Sequence, residues 1–148
     1  MGSNGTKQPA CTRQSGVIPY RWVGNKLEIL LITSRTNGRW IVPKGVVESN
    51  MTAPASAAKE AFEEGGVDGK VGKKALGVYH YEKLGMECAV QLFSMQVTKE
   101  HSKWPESHQR KREWMGVRDA VELADDRSVS EMISALAKSL QKARQKGK

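Results

Sequence analysis

A chain of 148 residues, 39% hydrophobic and 27% charged, is sized for one domain with its own core. No apolar run approaches the roughly 20 residues that span a bilayer, so no membrane partner is expected. Lysine and arginine total 24 against 16 acidic residues, and this net charge of +8 favours anionic partners: nucleic acid, phosphorylated metabolites or acidic surfaces.

The opening "MGSNGTKQPACTRQ" is polar and has no apolar centre, so it reads as a flexible tail over 1–14 and not as a signal peptide. Two cysteines, Cys11 and Cys88, cannot make a disulfide framework. They are expected as free thiols in a reducing compartment, which makes the cytoplasm the expected location. "SGVIPYRW" and "KLEILLITSR" read as two strands joined by the turn "VGN". "RWIVPKG" is a short apolar strand stopped by Pro43 and Gly45. A helix follows, with Thr52 as N-cap, Pro54 in its first turn, Ala57, Ala61 and Phe62 facing inward, and Gly65 and Gly66 ending it. "KVGKKALGVYHYE" and "MECAVQLFSMQVTKE" are further strands. "HSKWPESHQRKREWMGV" is a polar loop feeding a short strand near Glu113 to Val117, and "VRDAVELA" starts a short helix. Val129, Ile133, Leu136 and Leu140 recur at helical spacing in a last helix starting near Ser128 or Ser130. Its basic end is expected to fray. This order implies a mixed sheet with helices packed on it, an α+β fold.

One short stretch stands out chemically. In "KEAFEEGGV" three glutamates, Glu60, Glu63 and Glu64, share a helix face. Like charges at that spacing repel by roughly 0.2–0.5 kcal/mol per pair. Either water solvates them or a cation neutralises them. A hard divalent ion suits carboxylate and backbone oxygen donors, and a glycine loop lets a backbone carbonyl approach the same ion.

The segment Gly45 to Val67 resembles the Nudix box: Gly, five residues, Glu, seven residues, Arg-Glu, an aliphatic residue, any residue, Glu-Glu, any residue, Gly, aliphatic. Gly45, Glu60, Ala61, Glu63, Glu64, Gly66 and Val67 fall in register. The resemblance extends from Ser15 to Leu140. It implies a Nudix-type α/β/α sandwich over 15–141, flanked by tails at 1–14 and 142–148. It also implies a hydrolase of phosphoric anhydrides that uses Mg²⁺ or Mn²⁺. Glu60, Glu64 and the carbonyl of Lys44 would ligate the metal, and Glu63 would activate water. Two positions depart, with Met51 where the box has Glu and Lys59 where it has Arg. Met51 is expected to pack on the stem of Lys59, whose ammonium would reach Glu63 or Glu48.

Phosphate contacts are expected from basic residues outside the box, Arg35 and Arg39 before it and Arg110 and Arg112 in "RKREW". "SR…RWIVPKG" and "RKREW" are similar to the diphosphoinositol polyphosphate and diadenosine polyphosphate phosphohydrolases, which implies a small phosphorylated substrate. The same resemblance implies a phosphate-gripping role for Arg35 and Arg110 and, near the first strand, for Arg13. Two departures weaken the inositol reading: the glycine-rich "PGGG" of that branch is "PKGV" here, and its basic loop is reduced to "EKLGME". Trp40, Tyr79 and Tyr81 are read as core or rim residues and Trp114 as core. Met51 and Lys59 motivate one alternative, a non-catalytic sensor of phosphorylated ligands. The net charge motivates another, an RNA-end pyrophosphohydrolase, although no RNA-binding motif accompanies it.

Overall fold

The computed structural model describes residues 12–147. Eight strands form one mixed sheet: β1 (Gln14–Val23), β2 (Lys26–Thr33), β3 (Trp40–Ile41), β4 (Lys44–Val46), β5 (Val67–Val71), β6 (Gly77–Lys83), β7 (Met86–Glu100) and β8 (Arg112–Gly116). Among the described residues there are three helices, α1 (Ala53–Gly65), α2 (Val117–Leu123) and α3 (Arg127–Lys146). None is long and apolar enough to cross a membrane.

β1 is the hub. Its second half pairs antiparallel with β2, its first half antiparallel with β4, and its other edge parallel with β7, from Gln14↔Val90 to Tyr20↔Gln96. Both faces of a strand so placed are covered, which is why "SGVIPY" is buried without alternation. The two stretches read as single strands are each divided. "RWIVPKG" gives β3 on β2 and β4 on β1, and Pro43, which has no N–H to donate, marks the change of partner. Its carbonyl instead accepts from Val17 N at 3.1 Å. "KVGKKALGVYHYE" begins inside β5 and continues into β6. The 15-residue β7 is long enough to pair with both.

The helices cover opposite faces, as an α/β/α sandwich requires. α1 packs on Val17, Leu30, Val67, Phe93 and Met95. α2 and α3 cover Ile18, Ile29, Leu31, Val90 and Leu92. α1 comes close to the sheet because most of its buried residues are small, among them Ala53, Ala57 and Ala61. Phe62, expected inward, is half-buried and meets the His101 ring edge-on at 5.1 Å between centroids. Thr52 caps α1, its hydroxyl accepting from Ala55 N at 3.2 Å. Gly66 ends it in the left-handed conformation at φ 67°.

α3 starts at Arg127, capped by Asp126, because that carboxylate accepts from both Ser128 N and Val129 N. Residues 142–146, expected as tail, are helical. Arg144 pins them, stacking 4.1 Å from the Trp22 ring and donating to Gly24 O at 2.8 Å. Trp114 is only partly buried, with the Arg21 guanidinium 4.2 Å from its ring. The expectation of free thiols fails for Cys88, which is fully buried and disulfide-bonded. Cys11 lies outside the described residues.

Gly66→Ala tests the helix stop. An added Cβ would demand positive φ and meet Arg112 Nη1 at 2.5 Å and the Trp104 ring at 2.7 Å. Urea unfolding is expected to show a loss of about 2–3 kcal/mol; a change below about 0.5 kcal/mol would show that this turn is not under the stated constraint.

Candidate active site

The pairing of β4 with β1 fixes Gly45, and the docking of α1 on the same sheet fixes Glu60. The two meet so closely that a Cβ at position 45 would sit 2.3 Å from Glu60 Cδ. Position 45 must therefore be glycine for this carboxylate to lie against the loop backbone. Glu64, one turn on, is buried, and its Oε1 accepts from Lys44 N at 3.1 Å. Burial first, then the charges of Glu64 and Glu63, push the Glu60 carboxyl up from 4.5 to about 7. Burial also raises Glu64, while Arg110 and the Lys44 N–H oppose that rise.

The loop between β7 and β8 is stitched to the end of α1. Trp104 Nε1 donates to Glu64 O at 3.1 Å, and Glu106 N donates to Glu63 O at 3.1 Å. Glu106 thereby becomes a fourth carboxylate of the cluster, and its charge acts on both Glu60 and Glu64. Sequence reasoning missed it inside a polar loop. Its only local signal was its spacing four residues before Arg110. Arg110 is 6% exposed and lies between Glu64 Oε2 at 3.2 Å and Glu106 Oε1 at 2.8 Å.

Lys59 pairs with Glu48, one of the two partners expected. That hydrogen bond first, and then the neighbouring Glu63, raises the Lys59 pKa. Met51 does not need the Lys59 stem as its partner: its sulfur accepts from the buried Ser56 hydroxyl at 3.8 Å, and the same hydroxyl accepts from Glu48 N at 3.2 Å.

A cavity of about 600 Å³ adjoins the cluster, and Lys44 and Arg110 belong to both. Arg35 and Lys83 add positive charge to its wall, Trp40, Tyr79 and Tyr81 add ring surface, and Asp125 and Asp126 lie among its lining residues. Lys44 Nζ sits 4.5 Å over the Tyr81 ring, whose hydroxyl donates to Gln14 Oε1. Of the arginines expected at phosphates, Arg35 and Arg110 are in this wall. Arg39 is outside it, exposed and paired with Asp125 at 3.2 Å. Arg13 is exposed before β1, also outside the wall.

Arg112 is turned away from the cavity. It stacks 3.9 Å from Trp104 and donates to Gly65 O, Gly66 O and His101 O, where it secures the end of α1. Gly65 O and Gly66 O have no in-helix donor because the helix stops there, so residue spacing alone could not separate the role of Arg112 from that of Arg110.

An α/β/α sandwich with a mixed sheet, carrying a carboxylate-faced helix behind a glycine loop, is the class that fold and site define. The chain belongs to the Nudix family, with the NUDIX domain pattern matching residues 13–136. It is 34% identical over 131 residues to Nudix hydrolase 13, mitochondrial, of Arabidopsis thaliana, covering 74% of this chain and 65% of that one. It is 37% identical over 99 residues to diphosphoinositol polyphosphate phosphohydrolase 2 of Rattus norvegicus, covering 65% of this chain and 54% of that one. The chain thus spans less than two thirds of the length of either relative. In fold it is similar to a C. elegans Ap4A hydrolase crystal structure, with a TM-score of 0.74 at 21% identity, covering 88% of this chain and 98% of that one.

The donor set fits a hard divalent cation. Among the described residues no three His, Cys, Asp or Glu side chains already form a metal cage. Mg²⁺ does not require one, since it binds through one or two carboxylates and keeps several waters. A Glu60 carboxyl raised by burial and like charge is a site short of positive charge.

That imbalance has a measurable sign. A carboxyl whose pKa is raised by folding stabilises the fold when protonated. The contribution is complete below about 4.5 and lost as pH rises through about 7. Metal-free protein is expected to lose about 1–2 kcal/mol between pH 5 and pH 8 from this group, discounted for partial exposure. Thermal melts of Glu60→Gln should show a flatter pH profile; a profile parallel to the wild type would contradict the assignment.

Proposed function

We propose that the protein is a divalent-metal-dependent pyrophosphohydrolase. It would split a diphosphate linkage in a nucleoside diphosphate derivative, a diadenosine polyphosphate or a diphosphoinositol polyphosphate. The observation that carries this reading is Glu60 pressed against Gly45, with Glu64 on the Lys44 N–H one turn on, beside a cavity with cationic residues in its wall. The names of the rat and C. elegans proteins support the substrate range.

Glu60, Glu64 and the Lys44 carbonyl would hold Mg²⁺ or Mn²⁺. When bound, such an ion neutralises phosphate charge and lowers the pKa of a coordinated water. Lys44 and Arg35 bind and orient the phosphates. Glu63 takes the proton from the attacking water as its oxygen bonds to phosphorus. The bridging P–O bond breaks, and its electron pair leaves with the departing phosphate. Trp40 and Tyr81 offer ring surface in the cavity wall to the non-phosphate portion.

The sensor alternative gains nothing from the structure. The loop whose changes at Met51 and Lys59 motivated it is latched by the Lys59–Glu48 pair and by the Ser56 hydroxyl.

The test is product release from diadenosine polyphosphates, diphosphoinositols and nucleotide sugars, with and without Mg²⁺. Turnover of at least one class is expected only with metal. Glu63→Gln should lower kcat by about 10²–10⁴-fold. Metal-independent turnover, or an unchanged kcat in Glu63→Gln, would overturn the proposal.

A further inference from the structure

Arg110 is expected by resemblance to grip substrate phosphate, yet its guanidinium is already committed. Nη2 lies 3.2 Å from Glu64 Oε2, Nε donates to Glu106 Oε1 at 2.8 Å, and Nη1 donates to Thr33 O at 3.0 Å. All three nitrogens have protein acceptors, and the side chain is 6% exposed. Taking it to a phosphate would strip a buried carboxylate of its partner, because Glu64 is itself buried. Glu106 is fixed in turn, since its backbone N–H donates to Glu63 O and its carbonyl accepts from Arg110 N at 3.2 Å. The chain from Glu63 through Glu106 and Arg110 to Glu64 is therefore a closed loop of contacts around the end of α1. By contrast, Lys44 Nζ stands over the Tyr81 ring and acts on Glu64 through its charge without an ion-pair contact, and Arg35 pairs with a neutral side chain, Gln109, at 2.9 Å. Both border the cavity and can turn to an anion without leaving a charge unpaired.

We propose that Arg110 is the fixed counter-cation of the carboxylate centre, held there by the positioning residue Glu106, and that Lys44 and Arg35 grip the substrate phosphates in its place. The turnover half of the test rests on the hydrolase reading; the binding half does not. Binding is measured with methylenediphosphonate, a diphosphate whose bridging carbon resists hydrolysis, in the presence of Mg²⁺. Arg35→Gln is expected to raise its Kd by about tenfold or more, whereas Arg110→Gln and Glu106→Gln change it by less than about threefold. With a hydrolysed substrate, Arg110→Gln and Glu106→Gln should each lower kcat with KM nearly unchanged, and the double variant should be no worse than Arg110→Gln alone.

A tenfold rise in the methylenediphosphonate Kd for Arg110→Gln would overturn the proposal, as would additive losses in the double variant. If Arg110→Gln does not fold, Glu106→Gln decides alone. Releasing a phosphate ligand from a competing carboxylate would tighten methylenediphosphonate binding and contradict the proposal. Unchanged binding with lowered kcat upholds it. Failure of every substrate to turn over would count against the hydrolase reading and leave the Kd comparison standing.

Discussion

The contact between the Glu60 carboxylate and the backbone of Gly45 is the constraint on which the rest of the site depends. A side chain at position 45 would displace the carboxyl from this place, because its first carbon would overlap it. The contact also sets the distance between loop and helix. Two independent packing events converge to make it: antiparallel pairing of β4 with β1, and close docking of α1 through Ala57 and Ala61. The buried Ser15 hydroxyl, donating to Ala53 O at 2.8 Å, ties strand and helix together at the other end.

Holding several carboxylates this close is unfavourable, and the surrounding structure compensates with fixed charge and fixed hydrogen bonds. Lys59 and Glu48 pair across the loop. Arg110 faces Glu64 and Glu106, and the Lys44 N–H satisfies another Glu64 oxygen. Among the described residues neither Glu60 nor Glu63 has an ion-paired partner, and burial first, then the charges of Glu64 and Glu63, raise the Glu60 carboxyl. Carboxylates so placed among compensated neighbours suit an added cation.

Local signals in the sequence were enough for α1. Thr52, Pro54 and Gly66 act within a few residues of the ends they define, and the glutamate spacing is a property of any helix. β7 was legible for a similar reason: apolar residues recur along its central part, with Cys88, Val90, Leu92, Phe93 and Met95 all buried. What the sequence hid was set by pairing at long range. The division of "RWIVPKG" depends on which neighbour each half meets. Phe62 is half-buried, its ring set edge-on to His101 from the distant loop after β7. Arg110 and Arg112 are two residues apart with the same chemistry, but Arg110 lies in the loop before β8 and reaches the carboxylates, whereas Arg112 opens the strand and reaches the helix end. Glu106 joins the cluster through a backbone hydrogen bond to Glu63, which no residue pattern announces.

The central claim is that the α1 carboxylates form a divalent-cation site. Titration of the protein with Mn²⁺, followed by electron paramagnetic resonance, measures this without reference to any substrate. The wild type is expected to bind Mn²⁺, with Glu60→Gln and Glu64→Gln each weakening it by at least about tenfold and Arg39→Gln leaving it unchanged. Equal Mn²⁺ affinity in the wild type and both glutamate variants would contradict the account.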